Sequence, residues 1–176
     1  KLPAIKKAAD PQKIAVGDDS PTKVAEKPRR DFPIVGIGAS AGGLEALEGF
    51  LSHTPSDIGL AFVIIQHLAP EHKSIMGSLL NKQTEMKVLE IKDGMKIEPN
   101  CVYLNPPNRD VSIMDRRLYL LEPTQPRGVH LPIDSFFRSL AEAEGDKSIC
   151  IILSGTGTDG TLGLKAIKGE GGMAMV

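Results

Sequence analysis

The run Gly38-Ala39-Ser40-Ala41-Gly42 sets a serine between two glycines. It falls between the apolar stretch "PIVGIG" and the helix-like "LEALEGFL". Two chemistries use such a junction. A phosphate cradle needs G-x-G-x-x-G/A, which Gly36, Gly38 and Ala41 satisfy loosely, and an acid about 20 residues on to bind ribose. The second apolar run ends instead in Gln66-His67, with no carboxylate there. No Gly-Lys-Ser/Thr follows, so the Walker loop is excluded. The other chemistry is a nucleophile. G-x-S-x-G at a strand-to-helix turn projects a serine from the sheet end, where the N–H groups of the next helix favour an oxyanion.

A serine nucleophile needs a base, and the base needs an orienting acid. In an open α/β sheet these come from the carboxyl ends of strands. His67 directly follows "LAFVIIQ", and Asp159 lies in "SGTGTDG" directly after "SICIIL". Three strand ends therefore carry Ser40, His67 and Asp159. Each is ordinary alone; their joint placement makes the catalytic reading. The order Ser…His…Asp differs from the Ser…Asp…His of the α/β-hydrolases. His72 is five residues from His67 and no HExxH helix is present, so no metal site is expected. His53 ends the first helix, where a cation is mildly favourable. His130, in "GVHLPID", is a candidate to line the cleft. Loop 105–110, "NPPNRD", reads as a rigid surface turn carrying Arg109.

These residues must be positioned by alternating strands and helices. "PIVGIG", "LAFVIIQ" and "SICIILS" are short, continuous apolar runs, the pattern of strands buried on both faces, and "KVLEI" reads as a further strand. Leu44, Leu47, Phe50 and Leu51 form one helical face; Ile75, Met76, Leu79 and Leu80 mark a second helix, and Phe136, Phe137, Leu140 and Ala141 another. Residues 160–169 read as a helix after a glycine turn, and "GMAMV" as a last strand. "CVYLN", "DVSIM" and "RLYLLE" are grouped as a β-rich insertion, with a hairpin at Asp115-Arg116. The expectation is an α/β domain over 32–176: a doubly wound, mainly parallel sheet sandwiched by helices, with a β-hairpin insertion and an incomplete C-terminus.

Residues 1–31 are expected to be a disordered linker. The first 30 residues carry eight Lys/Arg, four Asp/Glu and no aromatic side chain. Their charge of +4 leaves −5 on the rest of a chain whose net charge is −1, so nothing draws the domain toward nucleic acid. The longest apolar run, "LAFVII", is far short of the roughly 20 residues that span a bilayer. Cys101 and Cys150 sit in apolar runs and read as buried thiols, compatible with a reducing cytoplasm.

"GIGASAGG", "QHL" and "GTGTDG", with "HLPIDSFF" between the last two, resemble the chemotaxis receptor methylesterase family, CheB. The resemblance runs from about Phe32 to Val176. It implies a cytoplasmic esterase that removes methyl groups from chemoreceptor glutamates and deamidates certain glutamines. Ser40 is then nucleophile, His67 base, and Asp159 its orienting acid. The backbone N–H groups of Ala41 and of the turn Gly155-Thr156-Gly157 form the oxyanion hole, and no cofactor is required. The family often has threonine and methionine where this chain has Ala41 and Thr156. "DFPIVGIGASAGGLEAL" resembles the esterase module of CheB–CheR fusions, which implies a fused methyltransferase partner. Two rivals remain at this point: a docking or regulatory module with weak chemistry, and a nicotinamide-dependent oxidoreductase, which the missing ribose acid opposes.

Overall fold

The computed structural model describes residues 32–40, 42–67, 75–123, 130–154 and 157–176; the expected linker lies outside them. Six strands form one parallel sheet in the order β3-β5-β2-β1-β8-β9. They are β1 (Ile34–Ala39), β2 (Ala61–Gln66), β3 (Lys87–Glu90), β5 (Cys101–Leu104), β8 (Ser148–Ser154) and β9 (Met173–Met175). A small antiparallel sheet, β4-β7-β6, is built from β4 (Met95–Lys96), β6 (Asp110–Met114) and β7 (Arg117–Leu121). The helices are α1 (Leu44–Ser52), α2 (Met76–Leu80), α3 (Pro132–Glu144) and α4 (Thr161–Gly169).

Every residue of β1 and β2 is buried, because both sheet faces are covered. Alternate side chains feed two cores. Ile34, Val63, Ile65 and Tyr103 pack with Phe136, Phe137 and Leu140 of α3 and Ile167 of α4. Val35, Ile37, Phe62, Ile64 and Val102 pack with Leu47 and Leu51 of α1 and Leu80 of α2. The sheet is therefore doubly wound, as expected.

Two features depart from the sequence reading. Cys101–Leu104 belongs to the main sheet, paired in parallel with β2 and β3, rather than to the insertion. All four residues are buried. The continuous run already carried that signal, but its closeness to the hairpin obscured it. Strand β4, only two residues long, is too short to show a period. The hairpin itself turns at Asp115 (φ 50°) and Arg116 (φ 58°), the left-handed pair that a two-residue connection requires.

The glycines of β1 serve packing. A Cβ on Gly36 would stand 2.9 Å from the Phe137 ring, and one on Gly38 would stand 2.6 Å from Ile133 Cγ2 and 2.8 Å from Ile152 Cδ1. Helix α3 lies directly on the strand that leads into Ser40. By contrast, a Cβ on Gly49, at an exposed position of α1, meets nothing within 4 Å. Gly38→Ala is expected to destabilise the domain by about 1–3 kcal/mol through overpacking. Gly49→Ala should stabilise it by roughly 0.5–1 kcal/mol through helix propensity. Denaturant midpoints at unchanged slope would show the opposite signs.

Candidate active site

Strands β2, β1 and β8 are neighbours at the centre of the sheet, so their carboxyl ends form one rim. The chain leaves β1 toward β2 on one side and reaches β8 on the other, which makes this a topological switch point. Ser40 follows β1, His67 follows β2, and Asp159 follows β8 by five residues.

Ser40 sits in a tight turn: the Gly43 N–H donates to the Ser40 carbonyl at 2.8 Å, and α1 begins at once. Just before it, the β1–β8 register slips, with Gly38 opposite Ile152 and Ala39 opposite Ser154. Such a bulge re-aims the next side chain. Ser40 itself is not among the described residues with positive φ. A Cβ on Gly42 would meet nothing within 4 Å; of the glycines flanking the serine, Gly38 alone is required by space.

The imidazole of His67 meets Asp159 directly, with Nε2 2.7 Å from Oδ2. The His67 side chain is 43% exposed and that of Asp159 8%. Asp159 in turn is gripped by the start of α3. The Ile133 N–H donates to Oδ2 at 3.1 Å and the Asp134 N–H to Oδ1 at 2.8 Å. These first-turn donors have no partner within their own helix. Leu131, at the N-cap position, supplies no side-chain cap, and Pro132 opens the helix. Asp159 thus caps α3 from 25 residues away, with its charge at the positive end of the helix dipole. Asp134, 3% exposed, repeats the device: its Oδ1 accepts the Gly163 N–H at 2.7 Å, in the first turn of α4. The pKa of His67 is raised above its ordinary 6.5, chiefly by the hydrogen bond to Asp159; partial burial opposes the rise and the charge of Asp159 adds to it.

With Nε2 on the carboxylate, Nδ1 is the nitrogen left to take a proton from an alcohol. Among the described residues, no hydrogen bond joins Ser40 Oγ to His67, which is common before substrate tightens a site. Ala41, Gly155 and Thr156 lie outside the described residues; Gly157 is exposed beside them. His72 also lies outside. His130 does not join His67: its Nε2 bonds Asp110 Oδ1. Arg109 pairs with Glu122 at the surface. His53 Nδ1 reaches the Gly49 carbonyl at 2.8 Å, closing α1. Cys101 and Cys150 are free and buried, and burial pushes the Cys150 thiol up to about 11. Sequence reasoning missed the α3 N-terminus as the seat of Asp159; the Pro132–Asp134 start of an uncapped helix was its signal. A polar cleft lined by Ser52, Asn81 and Glu85 lies at the far end of α1, away from Ser40. Among the described residues, no group of three or more His, Cys, Asp or Glu is placed to hold a metal, and no helix is long and apolar enough to cross a membrane.

Comparison with known proteins bears on this arrangement. The family model described as CheB methylesterase matches residues 35–176. A putative protein-glutamate methylesterase/protein-glutamine glutaminase of Leptospira interrogans is 32% identical over 147 residues, covering 83% of this chain and 76% of that protein. An uncharacterized 104.1 kDa protein of Rhodobacter capsulatus is 40% identical over 100 residues, 57% of this chain and 10% of that one. The crystal structure of the Thermotoga maritima CheB methylesterase catalytic domain superposes with a TM-score of 0.73 at 27% identity, over 82% of this chain and 78% of that one. The match takes in all three strand ends that carry Ser40, His67 and Asp159, and the chain belongs to the CheB methylesterase family.

Proposed function

We propose that this chain is a serine esterase that hydrolyses glutamate methyl esters on the cytoplasmic part of a chemoreceptor or similar signalling protein. The observation that carries the reading is the His67–Asp159 hydrogen bond at the end of the strand beside Ser40. Ser40 Oγ attacks the ester carbonyl carbon while its proton passes to His67 Nδ1. The oxyanion forms against the backbone N–H groups of Ala41 and the 155–157 turn. Collapse of the tetrahedral adduct breaks the bond to methoxide, which takes the proton from the imidazolium and leaves as methanol. Water, deprotonated by the same imidazole, then opens the acyl-enzyme to free glutamate and restores Ser40. Glutamine would enter the same acyl-enzyme with loss of ammonia, so deamidation requires no further residues. Asp159 stabilises the imidazolium and holds the tautomer with hydrogen on Nε2.

The domain acts as a module of a longer signalling protein, with a methyltransferase fused to it. Its likeness to a tenth of the 104.1 kDa Rhodobacter protein supports a module within a long chain. The opening "DFPIVGIGASAGGLEAL" supports the fusion.

Methanol release from a methylated receptor tests the chemistry. Ser40→Ala should lower the rate at least about a thousandfold while leaving the fold intact, His67→Gln should lower it nearly as much, and Asp159→Asn less. A wild-type rate no greater than that of Ser40→Ala would favour the docking-module reading instead.

The pH dependence follows from the raised His67 pKa. Because the base must be neutral, kcat/KM should rise with pH along a limb centred above 6.5. Asp159→Asn should move that limb down. Stability runs the other way: the raised pKa contributes fully below the unfolded value of about 6.5 and is lost as pH climbs through the folded one. Paired pH–rate and pH–denaturation curves on wild type and Asp159→Asn would check both slopes.

A further inference from the structure

Loop 105–110 follows β5, next to β2 in the sheet, and leads into β6. Its two ends bond residues that lead to the two halves of the His67–Asp159 pair: Gln66, directly before His67, and His130, just ahead of the helix that seats Asp159. At the first end, Asn105 is 6% exposed, and its amide grips the backbone of Gln66 in both directions. The Gln66 N–H donates to Oδ1 at 2.9 Å, and Nδ2 donates to the Gln66 carbonyl at 3.0 Å. Backbone pairing of β2 with β5 stops at Ile64 and Leu104. A side chain therefore replaces the missing strand at the peptide that leads into His67, the Asn105 N–H adding a bond to the Ile64 carbonyl at 3.3 Å.

At the other end, Asp110 binds the His130 ring. His130 stands two residues ahead of Pro132, where α3 begins, and the next two N–H groups of that helix hold Asp159. Between the ends, Pro106 and Pro107 fix two φ angles and Asn108 takes φ 57°. The span between the two grips is thus short and stiff.

We propose, building on the base and acid roles given above, that loop 105–110 is a brace that sets the reach between His67 and Asp159, with Asn105 and Asp110 as positioning residues at its two ends. Neither touches substrate. Asn105 fixes where the His67 backbone leaves the sheet. Asp110 fixes the segment whose N–H groups seat the carboxylate. Among the described residues, Asp159 is the charged group bonded to His67, and Asp134 lies one hydrogen bond behind it.

The test uses the full chain and two readouts, methanol release from methylated receptor and the titration midpoint of the His67 imidazole by NMR, assigned with His67→Gln. Asn105→Ala should lower kcat by up to about 100-fold, with KM nearly unchanged. It should also move the His67 midpoint down toward 6.5, because the bond to Asp159 lengthens. Asn105→Asp keeps the acceptor, loses the donor and should fall between; it also serves if the alanine variant fails to fold. Asp110→Ala should act in the same direction and Asp110→Asn should largely restore the wild-type values. The two alanine changes combined should do little more than the worse one, since one broken end disables a brace. Folded Asn105 variants with an unmoved His67 midpoint, or fully additive losses, would overturn the brace. Midpoints that respond in a chain releasing no methanol would sink the esterase reading and leave the brace standing.

Discussion

A carboxylate seated on the open end of a helix organises this domain. Asp159 accepts from the Ile133 and Asp134 N–H groups and from the His67 ring, so three donors converge on one charged group that is almost out of solvent. Burying a carboxylate is costly unless its lone pairs are filled. Here the donors come from the unsatisfied first turn of α3, which itself needs an acceptor. Each deficit meets the other. The sheet brings β2 and β8 to either side of β1, α3 crosses that central strand, and the acid is fixed relative to the ring it must orient.

Close approach of α3 is what makes the arrangement fit. Gly36 and Gly38 let Phe137 and Ile133 press onto β1, and Gly163 admits Phe137 where α3 meets α4. A glycine-rich run that looks like a phosphate cradle is thus, over its first half, a seat for a helix. Its chemistry starts where the glycines stop being needed for space. The same closeness lets Asp134 reach the first turn of α4, so the two helices that follow the insertion are each capped by a carboxylate from the other's neighbourhood.

Much of this was legible in the residues. Continuous apolar runs announced buried parallel strands, and the three strand ends already displayed a serine, a histidine and an aspartate. The hairpin turn was readable at Asp115-Arg116. What escaped had physical causes. The Cys101–Leu104 run sits so near the next strand that chain proximity grouped it with the insertion, while the main sheet takes it up. Asn105 looked like one more turn residue, because a side chain imitating a strand edge leaves no periodic mark. His130 was a candidate for the cleft, but its partner, Asp110, is 20 residues away in sequence and visible only once β6 is folded against α3.

Arg116 gives the fold a different kind of fixture. From the hairpin tip its guanidinium lies 4.1 Å above the centre of the Phe32 ring, bonds the Phe32 carbonyl at 2.6 Å and meets Glu144 at the end of α3 at 2.8 Å. Phe32 stands two residues ahead of β1. One guanidinium thus clamps the entry of the central strand to the hairpin tip and to the last turn of α3, so the end of β1 opposite the serine is anchored to two elements at once.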